Sequence, residues 1–201
     1  VPSPRTHYVS FRVIDSAIEA ANPIATVQDA TFPGAGKGQY SGDFWGLYLV
    51  TESPDGSFLD ERGLPDGSLY KIEGGGNGTG DKKNQGPTHP PSNADWSTFA
   101  AASARSQSVA WWRTNLDLPT YYSFRLACRI VGNVDLRNGW NHFFYHHPDG
   151  RWMPVPWDLD MMFVGRTHQS ASGAITQDGC LSQPALAIEK RNRAREVLDL
   201  L

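Results

Sequence analysis

Residues 142–163 read HFFYHHPDGRWMPVPWDLDMMF. Two aromatic-rich runs, 142–147 and 152–156, flank Pro148-Asp149-Gly150. Proline presets a turn dihedral and glycine accepts positive φ, so the stretch is expected to fold as a β-hairpin. Two acids, Asp158 and Asp160, follow at once. On an extended backbone, side chains two apart share one face, so this pair would repel itself unless a cation sat between them. Two readings stand open: strand-end carboxylates engaged in caps or salt bridges, or ligands of a hard divalent cation such as Mg²⁺, which takes one or two carboxylates plus phosphate oxygens and water.

Upstream of the hairpin, residues 132–141 (GNVDLRNGWN) form a polar loop holding Asp135 and Asn141. Both are ordinary turn residues. Equally, an aspartate can accept a hydroxyl proton and an asparagine amide oxygen can ligate a hard metal. His142, His146 and His147 lie close by; a transition-metal site there competes with plain surface or core packing. Before the loop, residues 119–131 (PTYYSFRLACRIV) carry apolar side chains near helical spacing, with Pro119 at the start. Asn93 or Asp95 can cap another helix, and the tail from Pro184 reads as a charged helix.

The first third reads as β. Residues 8–14 (YVSFRVI) alternate at period two, and residues 44–51 (FWGLYLVT) and 68–73 (SLYKIE) are further strands. Hairpin-like turn chemistry recurs in residues 53–56 and 64–67. Lys71 sits inside the third strand, either as a solvated residue or as a phosphate clamp, and Glu52 ends the second, where it can pair with Lys71 across strands. Residues 74–95 are rich in Gly, Pro, Asn and Lys and read as a mobile loop and lobe junction. Their glycine run, 74–80, lacks the phosphate-cradling G-x-x-x-x-G-K-[ST] word and reads as a connector.

The composition limits the classes. Of 201 residues, 39% are hydrophobic and seven are Trp, enough for a packed core. A net charge of −3 gives no electrostatic reason for nucleic-acid binding. No run of 18 apolar residues offers a membrane span. Cys128 and Cys180 are too few for a zinc site and are expected to be free thiols rather than a disulfide. The chain opens at Val1 and ends inside a helix-like run, so it is expected to be a fragment of a longer chain.

In this order the signals resemble one family, the spore-coat protein H (CotH) kinases. Residues 40–52 (YSGDFWGLYLVTE) are similar to its G-x-Y-x-x-x-E strand. Residues 58–71 (FLDERGLPDGSLYK) are similar to its L-Y-K stretch, and residues 133–145 (NVDLRNGWNHFFY) to its loop and strand. Residues 151–160 (RWMPVPWDLD) are similar to its W-x-x-x-P-W-D-x-D motif. The residue before Asn141 is Trp140, where the family usually has His.

The resemblance implies an α+β, protein-kinase-like fold over residues 1–201, with a β-rich N-terminal lobe, a helix-rich C-terminal lobe and a hairpin bearing the metal site. It implies an atypical kinase transferring the ATP γ-phosphate to Ser/Thr hydroxyls of a protein with Mg²⁺. Lys71 would contact phosphates with Glu52 as its partner, Asp135 would be the catalytic base, and Asn141, Asp158 and Asp160 would hold metal. The acceptor would be a coat or surface protein, in an extracellular, cell-surface or spore-coat setting. A catalytically inactive coat or surface scaffold of the same fold is one alternative. The other is a metal-dependent glycosyltransferase using D-x-D, which requires a doubly wound βαβ half ahead of the acids.

Overall fold

A computed structural model describes residues 1–12, 44–74, 79–133, 135–136, 139–163 and 175–199. The protein is α+β, with two antiparallel sheets and helices. It divides into two compact units, residues 5–52 and residues 1–4 with 53–201.

The smaller unit is a hairpin of β1 (Thr6–Arg12) and β2 (Phe44–Thr51), paired from Thr6↔Thr51 to Arg12↔Phe44. Its open end is tied by Glu52, whose amide donates to the Arg5 carbonyl at 2.8 Å and whose carboxylate accepts from the Arg5 amide at 2.8 Å. Residues 13 and 14, read as the end of the first strand, and residues 40–43 of the G-x-Y stretch lie outside the described residues.

The larger unit is built on β3 (Ser68–Glu73), β4 (Thr79–Asn84), β5 (His142–His146) and β6 (Trp152–Pro156), in the order β4-β3-β5-β6. Period-two alternation splits its side chains between two cores. Tyr70, Ile72, Phe144 and Trp152 join one buried cluster with the helices α2 (Ala94–Ser103), α3 (Val109–Asn115), α4 (Leu118–Ile130) and α5 (Pro184–Leu198). Leu69, Phe143, Tyr145, Met153 and Val155 join the other, with Phe58 and Leu59 of the short helix α1 (Gly56–Asp60). Pro154 and Pro156 cannot donate to a ladder, and β6 is accordingly an edge strand.

Several expectations change in detail. Residues 53–56 do not turn a hairpin: the Asp55 side chain accepts from the Phe58 amide and caps α1. Residues 79–84 are not loop but strand, because β3 offers an open edge that their backbone satisfies, with Tyr70↔Lys82 and Ile72↔Gly80 in register. Residues 75–78 of the glycine run lie outside the described residues. The helix after Pro119 forms where its pattern placed it, with the Asp117 side chain accepting from the Thr120 amide at 3.0 Å. Cys128 and Cys180 are free and buried, and burial pushes their thiols up to about 11 and about 12. Among the described residues both sheets are antiparallel, so no βαβ unit of the glycosyltransferase kind occurs there, and no helix is long and apolar enough to cross a membrane.

Candidate functional site

The register of the four-stranded sheet sets the site. Ile72 is opposite His142, and His142 is opposite Pro156. The end of β3, the start of β5 and the end of β6 therefore share one end of the sheet. Chain continuity then brings Lys71 and Glu73, Asn141, and the segment carrying Asp158 and Asp160 to that end.

Asp135 arrives from the helical side. Helix α4 stops at Gly132, which has φ 61°. The Asn133 amide donates to the Cys128 carbonyl at 2.9 Å and the Gly132 amide to the Arg129 carbonyl at 3.2 Å, the paired bonds of a Schellman stop. The Asn133 side chain then accepts from the Leu136 amide at 2.8 Å, closing a turn around Asp135. From this turn, the Asp135 carboxylate accepts a hydrogen bond from Asn141 Nδ2 at 2.5 Å.

Two of the three described non-glycine residues at positive φ are Asn141 (63°) and Asp158 (53°). Each costs on the order of 1–3 kcal/mol in general, and such strain concentrates at ligand-holding sites. Asp158 is therefore not on an extended backbone: β6 ends at Pro156, and the acids lie just beyond the hairpin rather than on it. The prior expectation that strand geometry aligns Asp158 with Asp160 is corrected. Their coupling survives in another form. Partial desolvation raises the Asp158 carboxyl above its ordinary range, the charges of Asp160, Asp135 and Glu73 add to this, and Lys71 opposes it. Lys71, Asp135, Asn141, Asp158 and Asp160 thus form one neighbourhood.

Lys71 makes an ion pair with Glu73, two residues along the same strand, and its Nζ lies 5.5 Å from the centre of the Trp157 ring. Trp157 in turn stands edge-on to Phe143 at 5.3 Å. Glu73 was missed in the sequence; i, i+2 spacing from Lys71 was the available signal. Glu52 belongs to the hairpin unit.

The donor set fits a hard cation. The charges of Asp160, Asp135, Glu73 and Lys71 all act on Asp158, and the Asn141 amide nitrogen is committed to Asp135, which leaves its oxygen available to a metal. All of these donors are oxygens, as Mg²⁺ prefers.

The histidines do not gather there as a group. His142 is buried and donates from Nδ1 to the Trp140 carbonyl at 2.7 Å, and burial depresses it to about 4. His147 pairs with Asp149 in the hairpin turn. His146 is at the far end of β5, where His89, Asp95 and His146 hold potential ligand atoms within 4.8 Å of one another. The two imidazoles stack at 3.8 Å with planes 4° apart. Parallel rings direct their in-plane lone pairs side by side rather than toward a common point, so they fit a packed stack better than a shared metal. Trp152 extends the stack at 4.0 Å from His146. Burial raises the Asp95 carboxyl, but hydrogen bonds from Tyr70 and His146 outweigh it and hold the group below its ordinary value. A cavity of about 390 Å³ lined by Asp95, Phe99, Trp111, His146 and Trp152 opens at this end, away from the acids.

Taken together, these features define an α+β protein with an oxygen-donor, lysine-flanked site at one end of an antiparallel sheet. The chain belongs to the CotH kinase protein family, whose profile matches residues 1–191. A comparison with curated proteins found no match. The family suggests a kinase-like function, with ATP and a divalent metal.

Proposed function

We propose that this chain is an ATP-dependent atypical protein kinase that transfers the γ-phosphate to Ser/Thr hydroxyls with Mg²⁺. What supports the reading above all is the convergence of Asp135, Asn141, Asp158 and Lys71 from three separate stretches of chain. Phosphoryl transfer asks a protein mainly for positioning and charge neutralisation.

Asp158 and Asn141 would hold the metal and Asp160 would support it; bound Mg²⁺ supplies charge neutralisation on the phosphate oxygens. Lys71 neutralises a non-transferred phosphate, exchanging Glu73 for it or sharing its charge with both. Asp135, oriented by Asn141, accepts the proton of the acceptor hydroxyl at its carboxylate. In this reading the acceptor is a coat or surface protein.

The test is full-length protein with γ-labelled ATP and Mg²⁺, wild type beside Asp158→Ala, with circular dichroism confirming the fold. Incorporation in the wild type and its loss in the variant is expected. Equal incorporation in both sinks the assignment.

A further inference from the structure

Between α4 and α5, on the helical side of the Asp135 turn, lies a cavity of about 70 Å³ lined by Arg125, Cys128, Arg129, Asn133, Leu136 and Lys190. A single water needs only about 10–15 Å³ by this measure, so the space admits something larger. Among the described residues that line it, three are cations: Arg125, Arg129 and Lys190. The nearby carboxylate, Asp178, is already engaged: Oδ1 accepts from the Tyr121 hydroxyl at 2.7 Å, and Oδ2 accepts from Arg125 Nη2 at 2.8 Å and from the Ile175 amide at 3.1 Å. Among the described residues, Arg129 and Lys190 have no carboxylate at ion-pair distance.

A second observation points to a ligand. Asn133 is 3% exposed; its Oδ1 accepts from the Leu136 amide, while its Nδ2 is buried with no acceptor among the described residues. Buried donors are nearly always paired, and an orphan beside three cations calls for an anionic acceptor. Lys190 carries the same mark: burial lowers it, Arg125 and Arg129 lower it further, and the pull of Asp178 does not compensate.

We propose that this cavity binds a phosphate-sized oxyanion, held by Arg125, Arg129, Lys190 and the Asn133 amide. The anion is either free phosphate or the phosphoryl group of a phosphorylated residue. Asn133 holds the turn that presents Asp135, so an occupied cavity stiffens that turn. Binding does not depend on the kinase reading; only its consequence for Asp135 rests on it.

The experiment is calorimetric titration of the full chain with inorganic phosphate, without nucleotide, alongside hydrogen exchange at the Leu136 amide. Arg129→Gln and Lys190→Gln each remove one charge at nearly constant size. Each is expected to weaken phosphate binding about tenfold, as losing one charge-assisted contact does. Phosphate should slow Leu136 exchange in the wild type and not in the variants. A phosphoserine peptide that competes, where its unphosphorylated form does not, assigns the anion to a phosphorylated residue; failure to compete assigns it to the free ion. Lys71→Ala should retain phosphate binding. Absence of binding at millimolar phosphate, or undiminished binding in both glutamine variants, overturns the proposal, as does loss in Lys71→Ala alone, which places the anion at the sheet end. None of these outcomes touches ATP turnover, so a failure here is distinct from a failure of the kinase assignment.

Discussion

Asn141 donates from Nδ2 to the Asp135 carboxylate at 2.5 Å, joining the residue before β5 to the turn that follows α4. The bond spans six positions in sequence and fixes both partners: it aims the asparagine's oxygen away from Asp135 and holds the carboxylate in one orientation. Strain at Asn141, with φ 63°, is the cost of presenting the amide this way.

Asn141→Ala removes the bond that orients Asp135 and, on the proposed function, a metal-donating oxygen. ATP turnover is expected to fall about 10–100-fold, the usual effect of losing a ligand-orienting partner. Circular dichroism and turnover measured together check this; full activity in a folded variant rules out a role for Asn141.

Asp158 gives a pH and metal prediction. Its carboxyl is raised in the folded protein, so the native state holds the proton longer than the unfolded chain does. That contribution to stability is present at low pH and is lost as pH rises through the folded value. Without divalent cation at neutral pH, Asp158→Asn should therefore be at least as stable as wild type. With Mg²⁺ at about a hundredfold excess over its Kd, the wild type should gain about 2.7 kcal/mol and the variant much less. Thermal melts with Mg²⁺ and with chelator decide it; equal gains in both proteins would remove Asp158 from the ligand set.

His142 works in the opposite sense. Burial depresses it to about 4 against an ordinary 6.5. As pH falls below 6.5 the unfolded chain takes up a proton that the native state refuses until about 4, so stability present at neutral pH is lost across that window. The loss is on the order of 3 kcal/mol. Urea melts between neutral pH and pH near 4 should show this slope in the wild type and a flatter one in His142→Leu. Parallel slopes would mean that another group, such as His89, which burial also lowers, carries the effect.

Two glycines should respond in contrasting ways. A Cβ on Gly86 would lie 2.7 Å from the backbone of Gly67, so backbone rather than a flexible side-chain end would have to shift. Gly86→Ala should cost about 1–3 kcal/mol. Gly63 has φ 60° with nothing near its missing Cβ, so Gly63→Asn should change stability by only a few tenths of a kcal/mol. Chemical denaturation of both variants tests the pair; an equally mild effect at Gly86 would mean that the Gly67 contact relaxes.

Local chemistry was legible wherever a short segment carries its own instructions. Pro148-Asp149-Gly150 between aromatic runs specified the β5–β6 hairpin, and the Pro119 signal with its helical spacing specified α4 within a residue or so. Of the residues the family motifs pointed to, Lys71, Asp135, Asn141, Asp158 and Asp160 share one neighbourhood, while Glu52 belongs to the hairpin unit. Strand β4 was not legible, because Thr79–Asn84 reads TGDKKN and has no apolar alternation of its own; it is a strand only because β3 has an edge to satisfy. Glu73 was overlooked for a similar reason: its meaning depends on Lys71 facing the same way.

The sequence by itself determined the residue types of the site, the family, and the hairpin and helix that flank the acids, since these rest on short-range dihedral and periodic preferences. Only the tertiary structure decided that Asp158 reaches its neighbours through a left-handed backbone rather than a strand face, that Asn141 gives its nitrogen to Asp135, and that the histidines divide between two ends of β5. Those outcomes depend on strand register and on where α4 stops, which couple residues far apart in the chain through packing and hydrogen bonding that no local pattern encodes.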